Sequence, residues 1–213
     1  MPRKIVEKVS DAQLQKDLKK YQQRALELGA TDAEIITADM VLVDDRVGIK
    51  CLIPRCHRYG TCANCPPYAM EPEQTGKVVS KYRYAIFTRI KVPSRKIAGV
   101  EAKQKRLYSP SYRKTFEIVG RIESEAFYDG YYLAMGFACG SCKSVFCPNI
   151  DCDALTPGGV CRYPLKARPS MEAVGINAYA MAAKIGWDIY PIGVSISPAE
   201  VPTGSALGLV LIY

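Results

Sequence analysis

The sequence predicts an α+β domain. Three observations carry that assignment: apolar residues recur at helical spacing in several stretches, short β-branched runs stand between them, and the two kinds of element mix without a strict βαβ rhythm. With 213 residues, 48% of them hydrophobic and 23% charged, the chain can bury a sizeable core, and residues 1–213 read as one domain with no repeat, low-complexity tract or interdomain linker.

The elements follow in chain order. Ser10 followed by Gln13 matches a capping box, Leu14, Leu18, Tyr21, Ala25 and Leu28 recur along one face, and Gly29 stands at the C-cap, so a packing helix opens the chain. The runs 33–43 and 46–53, rich in apolar and β-branched residues and parted by Asp44-Asp45, predict a strand pair joined by a turn, with Cys51 at a strand end. Residues 71–83 predict a short helix, and 83–92 a buried strand that Pro93 terminates. Residues 111–137 predict a long helix with Phe116, Val119, Ile122, Ala126, Gly130 and Leu133 on one face. Residues 170–187 predict another helix, capped by Ser170, and 207–213 a last apolar strand.

The N-terminal MPRKIVEKVSDAQLQKD carries charges where a signal peptide needs an apolar core, and no stretch approaches the roughly 18 apolar residues of a membrane span. A cytoplasmic location and no membrane partner are the expectation. In that reducing compartment the nine cysteines are expected to bind metal or carry redox chemistry rather than form disulfides. The net charge of +8 is concentrated in residues 89–114, where nine Lys or Arg face the single acid Glu101. A solvated helix face is the plainer reading. An acidic protein or an anionic substrate is an alternative partner, and nucleic acid is not expected because no nucleic-acid motif accompanies the charge.

The cysteines fall into two groups, Cys51, Cys56, Cys62 and Cys65, then Cys139, Cys142, Cys147, Cys152 and Cys161. Two metal-binding loops are the simplest partition. The two-residue spacings Cys62-x-x-Cys65 and Cys139-x-x-Cys142 let a tight turn present both thiolates to one centre. Cys65 precedes Pro66-Pro67 and Cys147 precedes Pro148, and a proline directly after a ligating cysteine is a ferredoxin feature, which favours iron–sulfur over structural zinc. His57, the only histidine, rules out any site that needs two.

The pattern C51-x4-C56-x2-Y59-G60-x4-C65-P66-P67, the pair C139-x2-C142, then C161-R-Y-P and the stretch ARPSMEAVGI at 167–176 resemble the predicted metal-binding family known as domain of unknown function 2284. The resemblance spans nearly the whole chain. It implies a cysteine-bound metal, an iron–sulfur cluster by preference, in a protein typical of anaerobic microbes, and it supplies no established reaction. The cysteines that match are Cys51, Cys56, Cys65, Cys139, Cys142 and Cys161. Cys62 lies outside the family's usual first motif, and after Cys142 a longer segment offers both Cys147 and Cys152, of which Cys147 is preferred because of Pro148.

The expected cofactors are therefore two [4Fe–4S] clusters, one on Cys51, Cys56, Cys62 and Cys65 and one on Cys139, Cys142, Cys147 and Cys161, with Cys152 as a spare thiol. The leading function is electron transfer to or from a redox partner protein. One alternative is an iron–sulfur enzyme whose open iron acts as a Lewis acid on a small anionic or sulfur-containing substrate, with Arg55, Arg58, Arg162 or Arg168 holding the anion. A second is a zinc-stapled nucleic-acid-binding module using residues 89–114. Arg168 also has an ordinary role open to it, an i,i+4 pair with Glu172. Tyr59 would pack over its loop or donate to a cluster sulfur, Gly158-Gly159 reads as a turn, and no Walker loop, Rossmann fingerprint or hydrolytic triad is present.

Overall fold

Ser10 caps the first helix as its spacing predicts, its Oγ accepting from the Gln13 N–H at 3.3 Å, and α1 runs over Asp11–Glu27. Only half of the box forms, because Gln13 Nε2 turns to Asp17 at 3.0 Å. Gly29 follows with φ +102, the left-handed turn that ends the helix. The computed structural model describes residues 2–213, in the α+β class.

Four antiparallel strands form one sheet in the order β1 (Asp32–Thr37), β2 (Tyr84–Val92), β4 (Gly204–Leu211) and β3 (Met135–Phe137), written here in spatial order. Alternation along β2 and β4 gives the sheet two buried faces. Ile86 and Val210 pack against Leu14 and Leu18 of α1 and Ile118 and Ile122 of the helix over Ser109–Tyr128. Phe87, Leu209 and Leu211 face the other way, onto Met171, Ile176 and Met181. Each such side chain, fully withdrawn from water, contributes about 2 kcal/mol. The remaining helices are α2 (Asp45–Gly48), α3 (Pro72–Val79), α4 (Gly99–Gln104), α5 (the Ser109–Tyr128 helix), α6 (Cys142–Phe146) and α7 (Ala178–Lys184).

Three expected elements differ. Residues 46–53 are not a strand: Asp44 Oδ1 accepts the Arg46 N–H at 2.9 Å and caps α2, and a 3₁₀ turn over Ile49–Cys51 follows. A short acid that bonds its own backbone favours a helix start over a ladder, while β1 pairs with β2 instead. The long helix begins at Ser109 and ends at Tyr128, so Gly130 (φ +97) and Leu133, 66% exposed, lie beyond it. The helix expected at 170–187 is broken by Gly175 at φ +82. Ser170 Oγ does accept from the Ala173 N–H at 3.1 Å, but only a 3₁₀ turn forms there, and α7 starts afresh from Asn177, whose Oδ1 accepts from Ala180. No helix among the described residues is long and apolar enough to cross a membrane.

Candidate metal centre

None of the nine cysteines is paired in a disulfide. Those of the second group leave the sheet at the end of β3. Ala138 is held by the chain around Ser170, its N–H donating to Pro169 O at 2.9 Å and its carbonyl accepting from Met171 at 3.0 Å. Gly140 then turns at φ +66, where a Cβ would come within 2.8 Å of the Tyr112 ring, and delivers the chain into α6. Phe146 at the end of α6 stacks on Tyr163 at 5.3 Å and meets Phe116 edge-on, also at 5.3 Å.

Between α6, the segment 147–163 and the first cysteine loop lies a cavity of about 290 Å³ whose wall carries five thiols: Cys62, Cys142, Cys147, Cys152 and Cys161. Phe146 and Tyr163 supply apolar wall. Cys152 and Cys161 are brought together by a tight loop. Asp153 O accepts from the Thr156 N–H at 2.9 Å and its hydroxyl at 2.6 Å, and Arg162 pairs with the Asp153 carboxylate at 2.6 Å. A Cβ on Gly159 would run into the Asp153 carbonyl, so the loop closes this far only around glycine.

The first loop meets the same place. The Ser141 Oγ lies 3.8 Å from Cys62 Sγ and 3.4 Å from Cys65 Sγ. Cys142 and then Cys65, turned toward Cys62, hold its thiol well below the ordinary range and are themselves pushed up. Asn64 Nδ2 donates to Cys142 Sγ at 3.5 Å. Two cysteines accept from the backbone two residues on: Arg58 N–H to Cys56 Sγ at 3.5 Å and Tyr163 N–H to Cys161 Sγ at 3.4 Å. Donors aimed at sulfur favour thiolate and suit metal ligation.

Cys56 and Cys65 belong to the first loop without lining the cavity, and two further thiols stand apart from it. Cys51 is half-buried, its thiol raised by burial, then by Cys56 and Glu172. Cys139 is buried beside Val92 and Ala206, and burial pushes its thiol up, with Glu172 adding to the shift. Burial likewise raises the Glu172 carboxyl. Among the described residues no three His, Cys, Asp or Glu side chains converge at the distance that suits a single ion.

The structure thus joins what the spacing separated. Cys62 and Cys142, from different sequence groups, share one cavity; Cys152, expected to be spare, is on its wall; Cys139 faces elsewhere. The missed signal was the loop 153–162, whose Asp, Thr and Gly-Gly close it on itself. The arginines near the cysteines are engaged: Arg55 over the Tyr59 ring at 4.9 Å, Arg58 Nε on Ser144 Oγ at 2.8 Å, Arg162 on Asp153. Arg168 pairs with Glu123 of α5, not with Glu172, which sits in a 3₁₀ turn. His57 is exposed.

The stretch 89–114 is not one solvated face. Arg89 is buried, paired with Asp32 at 2.8 Å and stacked over Trp187 at 4.6 Å. Arg113 Nη2 donates to Val145 O at 2.6 Å, and Arg106 to Ser144 O.

A family model described as "Predicted metal-binding protein (DUF2284)" matches residues 34–212, a span that takes in every cysteine. No curated protein and no solved structure matches the chain.

Proposed function

The chain belongs to this predicted metal-binding family, and from that premise we propose that it is a cytoplasmic iron–sulfur protein that carries electrons to or from a redox partner. The observation that carries the reading is the cavity walled by five thiols. A single tetrahedral zinc at about 2.3 Å from each sulfur draws its four thiolates to within about 4 Å of one another. Thiols distributed around a cavity of about 290 Å³ suit instead a group with several irons, each capped by its own thiolate. That volume equals about ten waters' share of the liquid, ample for an eight-atom [4Fe–4S] core.

Cys142, Cys147, Cys152 and Cys161 would hold one cluster, and Cys51, Cys56, Cys62 and Cys65 the other. Bound there, the clusters would supply one-electron redox chemistry. The residues around them would tune a bound cluster: Asn64, Arg58 N–H and Tyr163 N–H donate toward sulfur, and Phe146 and Tyr163 line the second site. With Cys142, Cys147, Cys152 and Cys161 at the cavity, each iron held there would have its own cap, which favours electron transfer over an open-iron enzyme.

Anaerobic purification followed by iron, sulfide and zinc analysis tests the reading. About eight iron and eight acid-labile sulfide per chain are expected, for two [4Fe–4S] clusters. Stoichiometric zinc without sulfide, in protein never exposed to air, would refute it.

A further inference from the structure

Five cations, Arg95, Lys96, Lys103, Lys105 and Arg106, flank or lie on α4 with one acid, Glu101, among them. Of the five, Lys105 alone is ion-paired among the described residues, with Glu101 at 2.8 Å. Arg95, Lys96 and Lys103 point to solvent. An open hollow of about 520 Å³ lies against Arg95, Lys96, Glu101, Lys105 and Arg106.

This face adjoins the thiols. Arg106 donates to the Ser144 carbonyl inside α6, and Arg58, two residues past Cys56, donates to the Ser144 hydroxyl. His57 lies among Arg58, Lys103 and Arg106. Arg106 itself sits at φ +52, the one residue other than glycine with a positive φ among the described residues. Such a backbone persists where its surroundings over-determine it, and the Ser144 contact is one such constraint. The basic face is therefore fixed in place relative to the cysteine segments.

We propose that this face docks an acidic redox protein, so that an electron enters or leaves the cysteine-held group beside it. The proposal rests on the iron–sulfur reading above and names the chemistry of its partner. In each encounter the donor loses one electron and the chain's iron–sulfur group gains it, with no proton or group transferred. Two observations favour a protein over other anions. Glu101 lines the hollow, so a compact polyanion would meet a carboxylate there. A nucleic acid needs a run of phosphate contacts, and the run along 89–114 is broken where Arg89 is buried on Asp32 and Arg113 is engaged with Val145. An acidic protein surface sets scattered carboxylates against scattered cations and requires no such run.

The test compares the anaerobically purified full chain with its Arg95→Glu/Lys96→Glu/Lys103→Glu variant. Each is mixed in a stopped-flow instrument with a reduced plant-type ferredoxin, an acidic one-electron donor, and dithionite gives the total reducible iron. The expected result is a fall on the order of tenfold in the second-order rate with ferredoxin at low ionic strength, shrinking at high salt. The dithionite end-point and the visible spectrum stay those of the unaltered chain. Equal ferredoxin rates for the two proteins overturn the docking face and leave the electron-transfer reading intact. Salt-sensitive RNA binding that the variant loses, together with equal ferredoxin rates, assigns the face to nucleic acid instead. If dithionite reduces neither protein, the electron-transfer reading fails and this proposal fails with it.

Discussion

Arg168 and Glu123 meet as a two-pronged ion pair, Nε to Oε2 and Nη2 to Oε1, both at 2.7 Å, with each side chain less than a fifth exposed. Arg168 also donates to the carbonyls of Pro164 and Ala167. One guanidinium thereby fastens the chain that follows Cys161 onto α5, and so holds one wall of the thiol cavity.

Arg168→Lys keeps the charge and loses the planar fork. We expect a loss of about 2 kcal/mol, the scale of hydrogen bonds to a charged group, together with faster loss of iron to a chelator. Thermal unfolding and chelator kinetics check the two effects, and a variant that matches the parent in both removes this tether from the account of the site.

Cys152 lines the thiol cavity and Cys139 does not, so the proposed ligand set includes the first and leaves out the second. Cys152→Ala is expected to cost the chain about half its iron and sulfide, because one of two clusters loses a cap. Cys139→Ala should keep the metal and cost about 1 kcal/mol of stability, as a small buried truncation does. The reverse pattern of metal contents would return Cys139 to the ligand set.

For Cys62, which faces both Cys65 and Cys142, the substitution Cys62→Ala should make the first cluster labile, expose an iron to added ligands and shift its potential. The second cluster should keep its spectrum, since Cys142, Cys147, Cys152 and Cys161 remain. Unchanged spectra and potentials for both clusters would show that Cys62 is no ligand and revive the open-iron reading.

Asp17 supplies a pH dependence remote from the thiols. Burial raises its pKa, but hydrogen bonds from Arg3, Tyr131 and Gln13 outweigh that and hold it below the ordinary value. A carboxyl depressed in the folded state stabilises fully above its unfolded pKa, near 4, and that stability is lost as pH falls through the lower folded value. Asp17→Asn should therefore destabilise the chain at neutral pH by about 2 kcal/mol, and the difference from the parent should shrink as the pH drops below about 4. Urea titrations at several pH values measure it, and a difference that stays constant down to pH 3 contradicts the assignment.

The elements built from long periodic or apolar runs were legible in the sequence: α1 from Ser10 and its apolar stripe, β2 from its β-branched and apolar run, β4 from its apolar run, the centre of α5 from Phe116 to Ala126. Residues 46–53 were misread because Val47 and Ile49 have strand-like side chains, while the Asp44 cap that decides the matter is a single local bond. At the site, spacing shows which thiols lie near each other along the chain and nothing about which meet across it. The approach of Cys62 to Cys142 depends on how β3 hands the chain to α6, and the inclusion of Cys152 on a loop closed by Asp153, Arg162 and Gly159. Both are tertiary facts with only faint local marks.

The family match begins at Glu34, inside β1 and downstream of α1, yet that helix shares with α5 the cover of one sheet face. Leu14, Leu18, Tyr21 and Ala25 lie over Ile86, Val210, Ile118 and Ile122, in a cluster that includes no cysteine. A chain trimmed to start at Glu34 would present that face to water as a contiguous apolar patch, of the kind that drives molecules to stick to one another. The first casualty of such trimming would be solubility: the shortened protein should precipitate or assemble into large particles, and its ability to take up iron would be judged only in whatever fraction a detergent or a fusion partner keeps dispersed.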